Sequence, residues 1–182
     1  MISGWRSFHV RILFLLTSCL LLTSCGYTTK STLPSRLRTI QVPEFENAID
    51  FNVTTQRNLY RPLLEIDVRN AIIDRYLFDG NLRLSNTAAD ADLILEGKLI
   101  DFRRDVMRFT DNDDVEEYRI TITVSLVLQD VENDMPMWVE PSFSGDASYF
   151  LTGPEASSEE QAVLEAIEDL ARRVVERTIE GW

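Results

Sequence analysis

The chain has 182 residues, is 45% hydrophobic and carries 18 Lys+Arg against 30 Asp+Glu, a formal net charge of −12. Such an acidic balance excludes a broad electrostatic footprint on nucleic acid and charge-driven attachment to an anionic membrane. Its one histidine, His9, and its two cysteines, Cys19 and Cys25, all lie near the start. The rest is left without Ser-His-Asp or Cys-His machinery, a His/Cys zinc site or a disulfide.

The first 24 residues read as a lipoprotein signal peptide. Arg6 and Arg11 form a positive n-region. The apolar stretch from Ile12 to Leu22 is about 11 residues, inside the roughly 7–15 of a secretory signal and short of the roughly 20 that a membrane span needs. Leu22-Thr23-Ser24-Cys25 then has the form of a lipobox. Small residues before Cys25 admit a lipoprotein signal peptidase, and the thiol takes a diacylglyceryl group, with an N-acyl chain on the freed amine. Leu16-Thr17-Ser18-Cys19 repeats the tetrapeptide, but cutting there would strand Leu20-Leu21-Leu22 on the mature end. Cys25 is therefore the expected lipidation site. The alternative is a short N-terminal transmembrane anchor with two unmodified cysteines.

The expected mature chain, residues 25–182, keeps 16 of the basic residues and all 30 acids. At this length one domain buries about two-thirds of its unfolded surface. One acyl chain anchors marginally, at about 0.8 kcal/mol per buried methylene, whereas two or three anchor stably. Residues 25–37, polar with Ser31, Thr32, Pro34 and Ser35, are expected to form the lipidated tether, and 38–182 the domain.

From Arg38 to Phe45 apolar and polar residues alternate, with Ile40 and Val42 on one face. This predicts a strand, and Pro43 marks an edge or the strand's end. Residues 46–58 read as loop. Pro62 suits the first turn of a helix. Leu64, Val68, Ala71, Ile72 and Tyr76 recur at helical spacing, and Gly80 supplies a left-handed stop. Leu82 and Leu84 predict a short strand. Leu93 to Val106 predicts a longer one of mixed parity, which calls for cover on both faces or a bulge near Gly97.

Asp111-Asn112-Asp113-Asp114 predicts a turn. It lacks the glycine and the glutamate of a calcium loop, so it reads as a solvated hairpin tip. Tyr118, Ile120, Ile122, Val124, Leu126 and Leu128 then alternate with Arg119, Thr121, Thr123, Ser125 and Gln129, which predicts a strand with one wet face. Met137-Trp138-Val139 opens another strand, which Pro141 and Gly145 interrupt or place at an edge. Trp138 and Trp182 read as core or interface residues. Ser157 with Glu160, or Ser158 with Gln161, offers a capping box. Val163, Ala166, Ile167, Leu170, Val174, Thr178 and Ile179 stripe the final helix. The predicted fold is α+β, a two-layer sandwich. A mostly antiparallel or mixed sheet of about four to five strands carries two amphipathic helices on one face.

Neither a catalytic group nor a metal site stands out among the acids. Arg103, Arg104 and Arg108, with Arg119 across the hairpin, form the one basic cluster outside a helix. They are candidates to meet phosphate or carboxylate groups. The competing reading pairs them with Asp101, Asp105, Glu116 and Glu117.

Several segments in order resemble a known family. They are Cys25-Gly26-Tyr27, Ile40-Gln41-Val42-Pro43-Glu44-Phe45-Glu46-Asn47, Ala91-Asp92-Leu93-Ile94-Leu95-Glu96-Gly97, Tyr118-Arg119, Trp138, and the ending Leu170-Ala171-Arg172-Arg173-Val174-Val175 through Glu180-Gly181-Trp182. Across nearly all of residues 25–182 the chain resembles the lipopolysaccharide-assembly lipoprotein family LptE. The resemblance implies a non-enzymatic outer-membrane lipoprotein facing the periplasm. Its domain would plug the β-barrel LptD, help that barrel assemble and bind lipopolysaccharide, and it would have no cofactor beyond the lipid on Cys25. Gly26 is compatible with outer-membrane sorting. Two rivals belong to other classes. One is a periplasmic lipoprotein that binds a small ligand or peptidoglycan, and the other is a hydrolase built on paired carboxylates.

Overall fold

A computed structural model describes residues 33–50 and 61–180. The expected signal peptide, Cys25, most of the tether, residues 51–60 and Trp182 lie outside the described residues.

Strand β1 is Thr39–Gln41 and β2 is Glu46–Asn47. Helix α1 is Leu64–Asp79, and β3 is Arg83–Leu84. A 3-10 turn at Ala88–Asp90 leads into β4, Leu93–Phe109. Strands β5, Val115–Asp130, and β6, Met135–Phe150, precede helix α2, Glu159–Glu180. The sheet runs β3-β1-β4-β5-β6, with β2 pairing β4 beyond the end of β1. β1 lies parallel between β3 and β4, and β2 is also parallel to β4. β4, β5 and β6 form an antiparallel meander. The expected α+β two-layer class holds. Among the described residues the sheet reaches six strands because β2 and β3, of two residues each, count alongside the four longer ones.

One sheet face carries the core. Ile120, Ile122, Val124, Leu126 and Leu128 of β5 are fully buried against the helices. From α1 come Leu64, Val68, Ile72 and Tyr76. From α2 comes the expected stripe, widened by Ala162, Ala171 and Val175. Inside this core the Tyr76 hydroxyl and the Thr178 hydroxyl share a 2.8 Å hydrogen bond that joins the two helices. Burial pushes the Tyr76 phenol far above its ordinary pKa.

Two glycines set how closely the layers approach. A Cβ on Gly97 would lie 2.4 Å from the Phe45 ring, so that ring rests flat on β4. A Cβ on Gly145 would lie 2.5 Å from the Ala166 carbonyl oxygen and the Leu170 nitrogen, so α2 crosses β6 with backbone nearly touching backbone.

Several local expectations need correction. Pro62 is not in the first turn of α1. The helix begins at Leu64, behind Leu63, whose φ of 61° is left-handed. Gly80, at φ 75°, closes the helix by donating to the Tyr76 carbonyl. The β4 bulge falls between Leu99 and Asp101 rather than at Gly97. It flips the parity, so Leu93, Leu95 and Leu99 face the core before it and Phe102 after it. The wet face of β5 is not wet throughout, because Thr121 and Thr123 are buried. Their cross-strand neighbours are Arg103 and Asp146 for Thr121, and Asp101 and Ser144 for Thr123. The longer of these side chains cover the short threonines at the middle of the sheet. Of the two readings of β6, the edge position holds and the interruption does not. The strand runs 16 residues along the sheet edge and absorbs Pro141 in a register shift.

Candidate functional surface

The segment arriving from Cys25 is fixed to one end of the sheet. Packing begins before residue 38, since Leu37 is buried and Leu33 rests on the core. The Arg36 guanidinium donates to both oxygens of Asp130 and reaches Glu132 at 3.3 Å. Asp130 is buried, yet Arg36, aided by the Asn133 side-chain and backbone amides, holds its pKa down at about 2. Asp92 accepts from the amides of Arg38 and Thr39 at 2.8 and 2.9 Å, and from the Thr39 hydroxyl. Burial alone would raise the pKa of Asp92, but these bonds outweigh it and the pKa falls. The entering chain is thereby clamped beside the β5–β6 turn.

The four candidate arginines do not form one cluster. The bulge after Leu99 turns Arg103 to the open face of the sheet and Arg104 to the helix face; Arg119, opposite Asp105, and Arg108, opposite Glu117 beyond a second register shift, also lie on the open face. Arg103 meets Asp105 at 3.1 Å and Asp101 at 3.5 Å. Arg119 sits 3.7 Å from Asp146. Arg108, nearer the hairpin tip, sits 3.6 Å from Glu117 and stacks over Phe150 at 5.4 Å. Arg104 is held by Glu159 at the start of α2 and stacks over Tyr118 at 4.8 Å. Tyr149 donates to the same Glu159 at 3.1 Å and stacks on Tyr118. Every one of the four therefore has a carboxylate at hand. Two of those partners, Glu159 and Asp146, come from elements that a local reading of the β4–β5 hairpin could not supply.

Apolar side chains are exposed just before the acidic tip of the β4–β5 hairpin, which the sequence reading missed. Val106, Met107 and Phe109 are exposed, Phe109 by 58%, and so is Leu151, just after β6. The run Val106-Met107 next to Phe109 was the available signal. On α1, Leu77 and Phe78 are also exposed, Phe78 by 82%. A groove of about 320 Å³ beside Phe78 is lined by Ala71, Asp74, Arg75, Glu168 and Ala171. Among the described residues, no group of three or more His, Cys, Asp or Glu side chains is placed to hold a metal ion. No described helix is long and apolar enough to cross a membrane.

A family model described as lipopolysaccharide-assembly, LptE, matches residues 37–178, from the buried Leu37 to the buried Thr178. The chain belongs to the LptE family. Among the described residues, the matched span contains every strand and both helices up to the last turn of α2, so the family assignment covers the sheet and helices described above. Among solved structures, this LptE-family chain is similar to the hypothetical protein CT253 from Chlamydia trachomatis. Identity is 12%, with 78% of this chain and 95% of that chain covered and a TM-score of 0.51, a likeness of fold. A minor lipoprotein from Acinetobacter baumannii shows 14% identity over 79% of this chain and 93% of that chain, with a TM-score of 0.48. A PelC variant from Paraburkholderia phytofirmans shows 12% identity over 79% and 93%, with a TM-score of 0.46. No curated protein matches the chain.

Proposed function

We propose that this LptE-family chain is a lipoprotein of the outer membrane, acylated at Cys25 and facing the periplasm, and that it serves as the plug and partner of the β-barrel LptD in lipopolysaccharide assembly. The family match over residues 37–178 carries this reading. The lipobox Leu22-Thr23-Ser24-Cys25 supports the attachment. The mechanism is steric and adhesive: lipid holds the domain at the inner leaflet, and the two-layer sandwich fills a barrel lumen. Cross-linking in native outer membrane, followed by detergent extraction, should capture a large β-barrel protein. Recovery of the chain alone would count against LptD partnership and favour a small-ligand or peptidoglycan binder. Produced without its barrel partner, the Cys25→Ala chain should fold and leave the membrane fraction, as read by fractionation. Retention in that fraction would mean a membrane-spanning leader.

The proposed lipopolysaccharide contacts are Arg103, Arg108 and Arg119 of the open face. A phosphorylated lipid would have to displace Asp101, Asp105, Glu117 and Asp146 from them. Arg104 is left out because Glu159 and Tyr118 hold it on the helix face. Reversing the three open-face arginines to Glu should lower lipopolysaccharide cross-linking several-fold while Arg104→Ala leaves it unchanged. Equal cross-linking by the triple variant would assign these arginines to ion pairing alone.

A further inference from the structure

Among the described residues, strand β6 is an outer edge of the sheet and runs 16 residues. An edge of that length offers a row of amide groups to any incoming strand, a second copy of the same chain above all. Its first half is unsuitable for pairing. Pro136 and Pro141 have no N–H, and the register shifts near Met137 and near Pro141 bend the strand. The second half, Phe143–Phe150, contains neither proline nor bulge, and there helix α2 supplies the partners. The Arg173 guanidinium donates to the Ser144 carbonyl at 2.5 Å. The Asp146 amide donates to the Asp169 carboxylate at 3.3 Å. Arg173 also stacks over Phe143 and lies 3.7 Å from Asp169. Gly145, between the two bonded residues, lets α2 come close enough for both side chains to reach. At the end of the strand, the Ser157 amide donates to the Phe150 carbonyl.

The geometry of the two α2 contacts is specific. When a strand adds in parallel, one residue of the newcomer donates its N–H to a carbonyl and accepts at its own carbonyl from the amide two residues further on. Ser144 and Asp146 are two residues apart, and Arg173 and Asp169 provide one donor and one acceptor to that pair. We propose that Asp169 and Arg173 together stand in for one residue of a parallel neighbour and thereby close the β6 edge against a second copy of this chain. The device is built from α2 and β6 alone, and it holds whether or not Cys25 carries lipid.

The test uses the full-length chain in detergent. Self-association of the double variant Asp169→Ala/Arg173→Ala is measured by light scattering across a concentration series, with circular dichroism to verify folding. Its association constant should rise at least tenfold over that of the unchanged chain. Adding Asp146→Pro, which deletes the amide a parallel partner needs, should reverse the rise. Arg172→Ala breaks the neighbouring bridge to Asp169 but touches no backbone group, and it should change nothing. A folded double variant that associates no more than the parent overturns the proposal, as does association that survives Asp146→Pro or appears equally in Arg172→Ala. If the double variant does not fold, amide exchange in the unchanged chain decides. The Asp146 amide should exchange at least tenfold slower than an unprotected amide, and exchange at the free rate overturns the proposal.

Discussion

Arg36 reaches 94 positions along the sequence to hold Asp130. A carboxylate this buried is tolerated only with a partner, and the pairing leaves its pKa at about 2 against an unfolded value near 3.9. The sign follows from that depression. The folded state binds this proton less readily than the unfolded state, so the stabilisation is full above about pH 4 and is lost as pH falls through about 2. Arg36→Ala should therefore lower the Tm at pH 6. The gap to the parent should narrow progressively between about pH 4 and pH 2, as followed by thermal denaturation at several pH values. A gap that stayed constant down to pH 2 would show that Arg36 acts through packing of the entering chain instead. Nothing in the local pattern around Ser35-Arg36-Leu37 announces this contact. The tether looked uniformly polar because its two anchors, Leu33 and Leu37, are isolated, and the charge it seeks lies at the far end of β5.

At the scale of elements, periodicity was a good guide wherever one face is buried along the whole length. The β5 alternation and the α2 stripe are of this kind, and Ser158 caps α2 in one of the two expected registers, its hydroxyl accepting from the Gln161 amide. Legibility failed where pairing overrides pattern. β2 is exposed at both positions and has no apolar period, so only its parallel partner Lys98-Leu99 makes it a strand. The β4 bulge left a visible trace, the change of parity, but its position depends on cross-strand register. That one-residue uncertainty decides which of Arg103 and Arg104 faces the helices, since a shift of one residue turns every later side chain to the other face. The contact of α2 with β6 offers a direct test. Gly145→Ala places a methyl against helix backbone that cannot move out of the way as a flexible side chain could. It should cost about 1–3 kcal/mol in urea unfolding, the usual penalty for overpacking. A neutral result would mean that α2 rides further from the sheet than Gly145 implies.

At the scale of the whole molecule, the two-layer class was readable because two amphipathic helices and a series of alternating strands admit few arrangements. The order of strands was not readable. β1 enters the sheet between β3 and β4, and no pattern in residues 39–41 selects those neighbours. Thr39 and Asp92, which meet there, are 53 residues apart. By contrast β4, β5, β6 and α2 follow one another through short connections. This inequality has a kinetic consequence. Closing a loop of some fifty residues costs chain entropy that the meander never meets, and each strand of the meander can form on its predecessor. The β4–β5–β6–α2 unit should therefore gain amide protection first, and the amides of Arg38 and Thr39 last, in a pulsed-exchange refolding experiment. Early protection of Thr39 would reverse that order. In a chain delivered N-terminus first, the first strand of the domain to emerge would then be the latest to settle, because the slot it fills beside Asp92 exists only after β4 has been laid down.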